Sequence, residues 1–259
     1  MIEVHILASG STGNAALFQF GPTSILIDAG ISARRIAQAL KAVGSDVQAI
    51  DAILLTHEHS DHIKGIEVLA RRFGIPVYAR ARTWERLPFR DKIPGSCCRL
   101  LDNYLTIGAV ELECFPIPHD AVDPVGFTFY YQKRKLALAT DVGTVAGTVI
   151  DALSMADVAV LEANHDREML ANGPYPGFLK QRISSGRGHL SNDHSAQVLA
   201  RIKMKPGLRV FLAHLSQQNN RPDLARDTVA DFLRRQGCDV GREIVLYPTY
   251  PQQSVGCRV

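Results

Sequence analysis

The segment Thr56-His57-Glu58-His59-Ser60-Asp61-His62 places three imidazoles and the Asp61 carboxylate within six residues. Borderline nitrogen and hard oxygen donors of this kind suit Zn²⁺, Mn²⁺ or Fe. On a tight loop the side chains of His57 and His59 can converge on one point, and those of Asp61 and His62 on a second point a few ångströms away. The segment follows the apolar run Ala52–Leu55 and precedes a helical pattern. Its polar groups therefore fall at the C-terminal end of a strand, where α/β sheets tend to place ligands. A polar surface loop with histidines by chance is the bland alternative, and the density of donors at this position argues against it.

Four later residues extend the set, each at or just after the end of an expected strand: Asp28 in Leu-Ile-Asp-Ala-Gly, His119 in Pro-Ile-Pro-His-Asp, Asp141 in Ala-Thr-Asp-Val-Gly and His214 in Leu-Ala-His-Leu-Ser. Taken singly, an Asp before Gly is an ordinary turn former. Together the four provide enough ligands for two metal ions with positions left open for water.

The elements that must position these groups alternate short apolar runs with amphipathic stretches. Strands are expected at 4–7, 15–20, 24–28, 52–56, 76–79, 104–107, 110–115, 125–131, 136–139, 158–162 and 209–213, with a hairpin turn at 132–134. Helices are expected from the Ser32 N-cap to Gly44, over 63–73 up to Gly74, and at about 174–184, 191–203 and 222–235. Strands in the first half followed by mixed strand–helix units predict stacked mixed sheets with helices outside. No repeat or linker marks a boundary, so residues 1–259 read as one domain.

Composition agrees with a folded enzyme. The chain has 259 residues, 46% hydrophobic, with 29 Lys+Arg against 26 Asp+Glu, which excludes disordered and collagen-like classes. A net charge of +3 does not by itself argue for nucleic acid. No apolar run approaches the ~20 residues of a membrane span, and the amino terminus lacks a signal-peptide pattern. Five cysteines, none in a CxxC pair, fit reduced thiols better than a disulfide framework. The expectation is a cytoplasmic protein without a membrane partner.

On these residues the chain resembles the metallo-β-lactamase superfamily over nearly its whole length. The resemblance implies an α/β four-layer αβ/βα fold, two mixed β-sheets sandwiched between helices. It implies that His57, His59 and His119 hold one divalent ion, that Asp61, His62 and His214 hold a second, and that Asp141 bridges them. Asp28 would orient ligands from behind. The ions would be Mn or Zn, with Fe as a further candidate.

Two such ions about 3.5–4 Å apart suit phosphodiester cleavage but also thioester and lactam hydrolysis. The second half narrows the choice. Leu161-Glu162-Ala163-Asn164-His165, Gly188-His189-Leu190-Ser191 and Leu212-Ala213-His214-Leu215-Ser216 resemble the tRNase Z and phosphodiesterase branch. There a Glu–His pair shuttles protons, so His189 would protonate the leaving oxygen and Glu162 would hold that imidazole. A poor alkoxide leaving group needs such an acid, poised near neutrality. Asp61 is grouped with them as a catalytic residue.

The motifs Ser-Gly-Ser-Thr-Gly-Asn, His-Glu-His-Ser-Asp-His, Asn-His-Asp, Gly-Pro-Tyr-Pro, Gly-His-Leu-Ser-Asn and Ala-His-Leu-Ser-Gln-Gln-Asn-Asn are together similar to the YycJ/WalJ group of bacterial metallo-β-lactamase-fold proteins. That similarity implies a metal-dependent 5′-to-3′ DNA exonuclease with a proposed link to mismatch repair. The expected mechanism uses a metal-bridging hydroxide as nucleophile, and RNA is a further expected substrate. Ser11 and Asn14 in the Gly-rich loop, with Lys180, Arg182 and Arg187 before His189, are candidates for phosphate contacts. His165 and His194 stay open between packing and function, and His5 reads as structural. Only 73 residues separate Asp141 from His214, which leaves no room for the large inserted domain of the RNase J type. The alternative function is small-molecule hydrolysis, on a cyclic nucleotide or, as in glyoxalase II, a thioester. A non-catalytic metal-binding module fits less well, because the ligand set is complete.

Overall fold

Along β1 (Ile2–Ala8) alternate side chains Ile2, Val4 and Ile6 are buried, the period of a strand with one apolar face. It pairs antiparallel with β2 (Ala15–Phe20), and β2 with β3 (Thr23–Ile27). From β3 onward the pairing is parallel, through β4 (Ala52–Leu54), β5 (Val77–Ala79) and β6 (Cys98–Leu100). β3 and β4 are buried on both faces, which explains the continuous apolar runs Ile25–Leu26–Ile27 and Ala52–Ile53–Leu54. Asp28 and the 56–62 segment follow the C-terminal ends of these two neighbouring strands.

Helix α1 (Ala33–Ala42) starts where the Ser32 side chain accepts the Arg35 amide, and it buries Ile36 and Leu40. The helix expected over 63–73 forms instead as α2 (Ser60–Ile63) and α3 (Ile66–Phe73). The break falls at Gly65, whose amide donates to the Ala29 carbonyl and where a Cβ would crowd the Ile31 carbonyl. α4 (Ala81–Arg86) and β6 are too short to show a period in the sequence. β7 (Tyr104–Ile107) and β8 (Val110–Pro116), both expected as strands, pair antiparallel as a hairpin.

β9 (Val125–Tyr131) and β10 (Arg134–Ala139) are an antiparallel pair turning at Gln132, φ 55°. β10, β11 (Val158–Glu162), β12 (Leu208–Ala213) and β13 (Ile244–Pro248) then run parallel in that order. Three C-terminal strand ends, those preceding Asp141, containing Glu162 and preceding His214, thus share one sheet edge. The connections are α5 (Gly147–Leu153), α6 (Arg167–Asn172), α7 (Gly177–Ile183), α8 (Asn192–Arg201) and α9 (Pro222–Arg235). α7 starts later than the sequence pattern suggests because Pro174 and Pro176 keep the residues before them out of helical conformation. α5, α6 and β13 were not expected. α5 and α6 span only two turns each, too few for a periodic signal.

The last strand, β14 (Val255–Arg258), lies antiparallel to β1. The structure is a computed structural model describing residues 1–259. The chain divides into two units, the first of residues 1–114, 121–124 and 251–259, the second of 115–120 and 125–250. Each unit holds a mixed sheet with helices and has its own apolar core. In the first, Leu17, Leu26, Ile36, Leu40, Ile53 and Leu69 are buried together. In the second, Leu161, Val198, Val210, Leu212, Val229 and Leu233 are. No helix is long and apolar enough to cross a membrane, and all five cysteines are free.

Candidate metal centre

In the first unit the donors are arranged around one carboxylate. Asp28 Oδ2 accepts from His62 Nδ1 at 2.7 Å, and Oδ1 accepts the Thr56 amide at 2.9 Å. The Thr56 hydroxyl lies 2.9 Å from Asp28 Oδ2 and 3.0 Å from His57 Nδ1. Its single proton goes to the carboxylate, so its lone pair accepts from His57 Nδ1–H. Both imidazoles are thereby fixed in the tautomer that carries its proton on Nδ1 and keeps the Nε2 lone pair for a metal. His59 occupies the N-cap position of α2 without a side-chain capping bond, its ring edge-on to His57 at a centroid separation of 4.6 Å. Asp61 Oδ2 sits 3.5 Å from His62 Nε2. Two ligands that each reach an ion over about 2.0–2.2 Å at a tetrahedral angle lie at close to this separation.

The Asn14 side chain is buried against the same two residues. Its amide nitrogen lies 3.1 Å from His62 Nε2 and 3.3 Å from Asp61 Oδ2, while its carbonyl accepts the Gly10 amide. Ser11 is exposed on the loop. Gly30 brings the backbones of Asn14 and Asp61 together. The Asn14 amide donates to the Asp61 carbonyl, and a Cβ on Gly30 would collide with that carbonyl.

In the second unit the focus is Glu162, whose side chain is 0% exposed. Oε1 accepts from His189 Nδ1 at 2.9 Å and His214 Nδ1 at 2.8 Å; Oε2 accepts the amides of Val142 and Leu190 at 2.7 and 2.9 Å. Burial alone would push this carboxyl up. The His189 imidazole, by charge and hydrogen bond, and then His214 outweigh burial and hold it well below the usual carboxylate range. Donor atoms of Asp141, Glu162, His189 and His214 all lie within 4.8 Å of one another. His119 Nδ1 donates to the Gly188 carbonyl at 3.1 Å, and its Nε2 faces Asp141 Oδ1 at 3.8 Å. Burial lowers the His119 pKa, which keeps the ring neutral as a metal ligand requires.

Asp28, Asp141 and His214 have φ of 57°, 59° and 57°, left-handed conformations that cost a non-glycine residue about 1–2 kcal/mol. Only two other non-glycine residues of the chain have positive φ, Gln132 in its hairpin and Met155. The strain therefore concentrates where a strand ends and a donor must be turned off the sheet edge. The donors in both units suit a divalent ion: nitrogen and carboxylate oxygen, with His57, His62, His119 and His214 each held at Nδ1 by an oxygen that accepts from it.

The three cations considered for phosphate contact take different places. Arg187 donates to the His119 carbonyl from Nε and Nη2 at 3.3 and 3.2 Å. Arg182 Nε donates to Asp120 Oδ2 at 2.6 Å, with its side chain 58% exposed. Lys180 Nζ donates to the Ala171 carbonyl and lines a cavity with His165, Arg167, His189 and His194. His5 lies within β1 and its Nε2 pairs with Glu3 at 3.3 Å.

Three residues act here without having been singled out in the sequence: Thr56, which links Asp28 to His57; Gly188, which receives His119; and Asn164, whose amide donates to the His214 carbonyl at 2.8 Å. Nothing in their type pointed to a role.

Residues 23–215 match the β-lactamase superfamily domain. The exodeoxyribonuclease YycJ of Bacillus anthracis is 38% identical over 258 residues, covering 97% of this chain and 96% of that protein. The exodeoxyribonuclease WalJ of Streptococcus pneumoniae is 37% identical over 254 residues, covering 96% and 94%. Among solved structures, the metallo-β-lactamase fold protein YhfI from Bacillus subtilis superposes with a TM-score of 0.72 at 16% identity, over 99% of each chain. The chain belongs to the β-lactamase superfamily, as a hydrolase with the metallo-β-lactamase fold.

Proposed function

We propose that the protein is a metal-dependent phosphodiesterase that degrades DNA from the 5′ end. The observation that carries this reading is the Glu162–His189 pair. A fully buried carboxylate holds one nitrogen of an imidazole that is itself 20% exposed. This is the arrangement a positioned acid needs to protonate an alkoxide. The names of the two relatives, aligned almost end to end, support DNA as the polymer.

In this reading His57, His59 and His119 would hold one divalent ion and Asp61, His62 and His214 the other, with Asp141 shared between them and Mn or Zn as the metals. Bound ions of this kind supply Lewis acidity, lowering the pKa of water and drawing charge from phosphate oxygens. Asp28 and Glu162 keep His62 and His214 in the ligating tautomer. At the scissile phosphate the oxygen of water bonds to phosphorus and gives up a proton to solvent, the P–O3′ bond breaks, and His189 delivers its Nε2 proton to the departing O3′ and is reprotonated from solvent. Glu162 stabilises the charged ring before that transfer.

The test is a leaving-group substitution. His189→Ala should slow cleavage of ordinary DNA by about 10²–10⁴-fold. A substrate carrying sulfur in place of the bridging 3′ oxygen needs no proton and should recover most of that loss. Equal loss on both substrates would remove His189 from the role of acid.

A further inference from the structure

A cavity of about 500 Å³ opens beside His189, between α6, α7 and the first turn of α8, lined by His165, Arg167, Lys180, Gln181, Ser184 and His194 among others. Its volume is that of a small-molecule site. Among its lining residues the only formal charges are the cations Arg167 and Lys180. Arg167 is held in place: Nη2 donates to His194 Nε2 at 2.8 Å, and Nε lies 3.4 Å from Ser191 Oγ and 3.6 Å from Asp193. These contacts leave other guanidinium N–H groups for a ligand.

The second observation is His165. Its side chain is buried, the residue being 3% exposed, and it lines the cavity, yet Nδ1 has no hydrogen-bond partner. A buried polar atom left unsatisfied is costly unless something in the working state meets it. Burial lowers the pKa of this ring to about 4, so it adds a neutral imidazole to the cavity wall beside the two cations.

We propose that this cavity receives the terminal nucleotide of the DNA, with Arg167 and Lys180 taking its 5′-phosphomonoester. The proposal rests on the nuclease reading above. His189 lines the cavity, so the cavity lies on the side of the group it protonates. For a chain read from its 5′ end, the departing O3′ belongs to the terminal nucleotide, which also carries the phosphomonoester. A cationic cavity on the leaving-group side therefore selects a 5′-phosphorylated end, and this selection supplies the polarity of degradation.

The experiment compares kcat/KM on one duplex bearing either a 5′-phosphate or a 5′-hydroxyl. Charge-assisted hydrogen bonds to the phosphate should favour the phosphorylated duplex by about tenfold or more. In Arg167→Met and in Lys180→Met that ratio should fall towards one, while Arg226→Ala, on the exposed face of α9, keeps it. A ratio near one in the unaltered protein, or an unchanged ratio in both Met variants, overturns the proposal. Inhibition of bis(4-nitrophenyl) phosphate hydrolysis by deoxyadenosine 5′-monophosphate separates the two readings. If that diester is hydrolysed while DNA is not cut, the nuclease reading fails but the cavity is still judged. Inhibition that is weakened about tenfold in Arg167→Met supports the phosphate subsite; inhibition equal in the two proteins overturns it.

Discussion

His189 and His214 place their Nδ1 atoms on the same oxygen of Glu162, at 2.9 and 2.8 Å. One carboxylate therefore fixes the proposed acid and a proposed metal ligand together, and its other oxygen is anchored by the amides of Val142 and Leu190. In the proposed reading, metal binding and proton transfer would be coupled through this one carboxylate.

Replacing Glu162 should damage both functions, while replacing His189 should damage one. Glu162→Gln is expected to lower metal affinity by about 10–100-fold, in addition to slowing catalysis. His189→Ala should bind metal as the unaltered protein does. Metal titration against a chromophoric chelator, run beside single-turnover cleavage, separates the two; parallel loss of metal in both variants would contradict the division of roles.

Asp28→Asn isolates the charge behind His62. Asn tolerates the left-handed φ of 57° at this position, so the fold should survive. The carboxylate that accepts from His62 Nδ1 and Thr56 is lost, and metal affinity should fall by about 10–100-fold. Unaltered affinity, measured by the same titration, would show that His62 needs no such partner.

Gly188→Ala tests the support of His119. An added Cβ would collide with the carbonyls of Arg182 and Ile183 and displace the carbonyl that receives His119 Nδ1. A stability loss of about 1–3 kcal/mol is expected from the overpacking, read by urea denaturation. Weaker metal binding at temperatures where the variant remains folded should accompany it. Full stability and affinity would mean that the loop yields without cost.

Asp157 predicts the acid limb of stability. Its carboxylate is 3% exposed and meets Arg134 Nη1 at 2.6 Å, Lys205 Nζ at 2.7 Å and the Lys135 amide at 3.0 Å. Burial raises its pKa, but the Lys205 hydrogen bond, the Lys135 amide and Arg134 together bring it below the ordinary carboxylate value. A depressed folded pKa stabilises above the unfolded value of about 4, and that contribution is lost as pH falls through the folded value. Asp157→Asn should cost about 1–3 kcal/mol at pH 7, and the difference from the unaltered protein should shrink below pH 4. A difference independent of pH would place the cost in packing instead of charge.

The donors were legible because chemistry announces them: six consecutive residues with three imidazoles, then lone Asp and His residues at strand ends. The strands beneath them were legible too, since β3, β4, β11 and β12 are buried apolar runs. What supports the donors was not. Thr56, Gly188 and Asn164 are neutral residues whose roles depend on a backbone carbonyl or a hydroxyl arriving from elsewhere in the chain. Asn14, read as part of a phosphate cradle, has its amide against Asp61 and His62. Arg187, read as a phosphate contact, grips the His119 carbonyl. Charge and loop composition show that a residue is polar, while its partner is fixed by the fold. Short elements such as α4, α5 and β6 escaped for a different reason, because two turns or three residues carry no period.

The most direct test follows the ends of a DNA duplex. One strand labelled at 5′ and, separately, at 3′ is incubated with Mn²⁺ and the purified protein, with Asp61→Ala in parallel. The account predicts that the 5′ label is released at once as a mononucleotide while the 3′-labelled strand shortens progressively, and that Asp61→Ala does neither. Release from the 3′ end first, or full activity in Asp61→Ala, would contradict it.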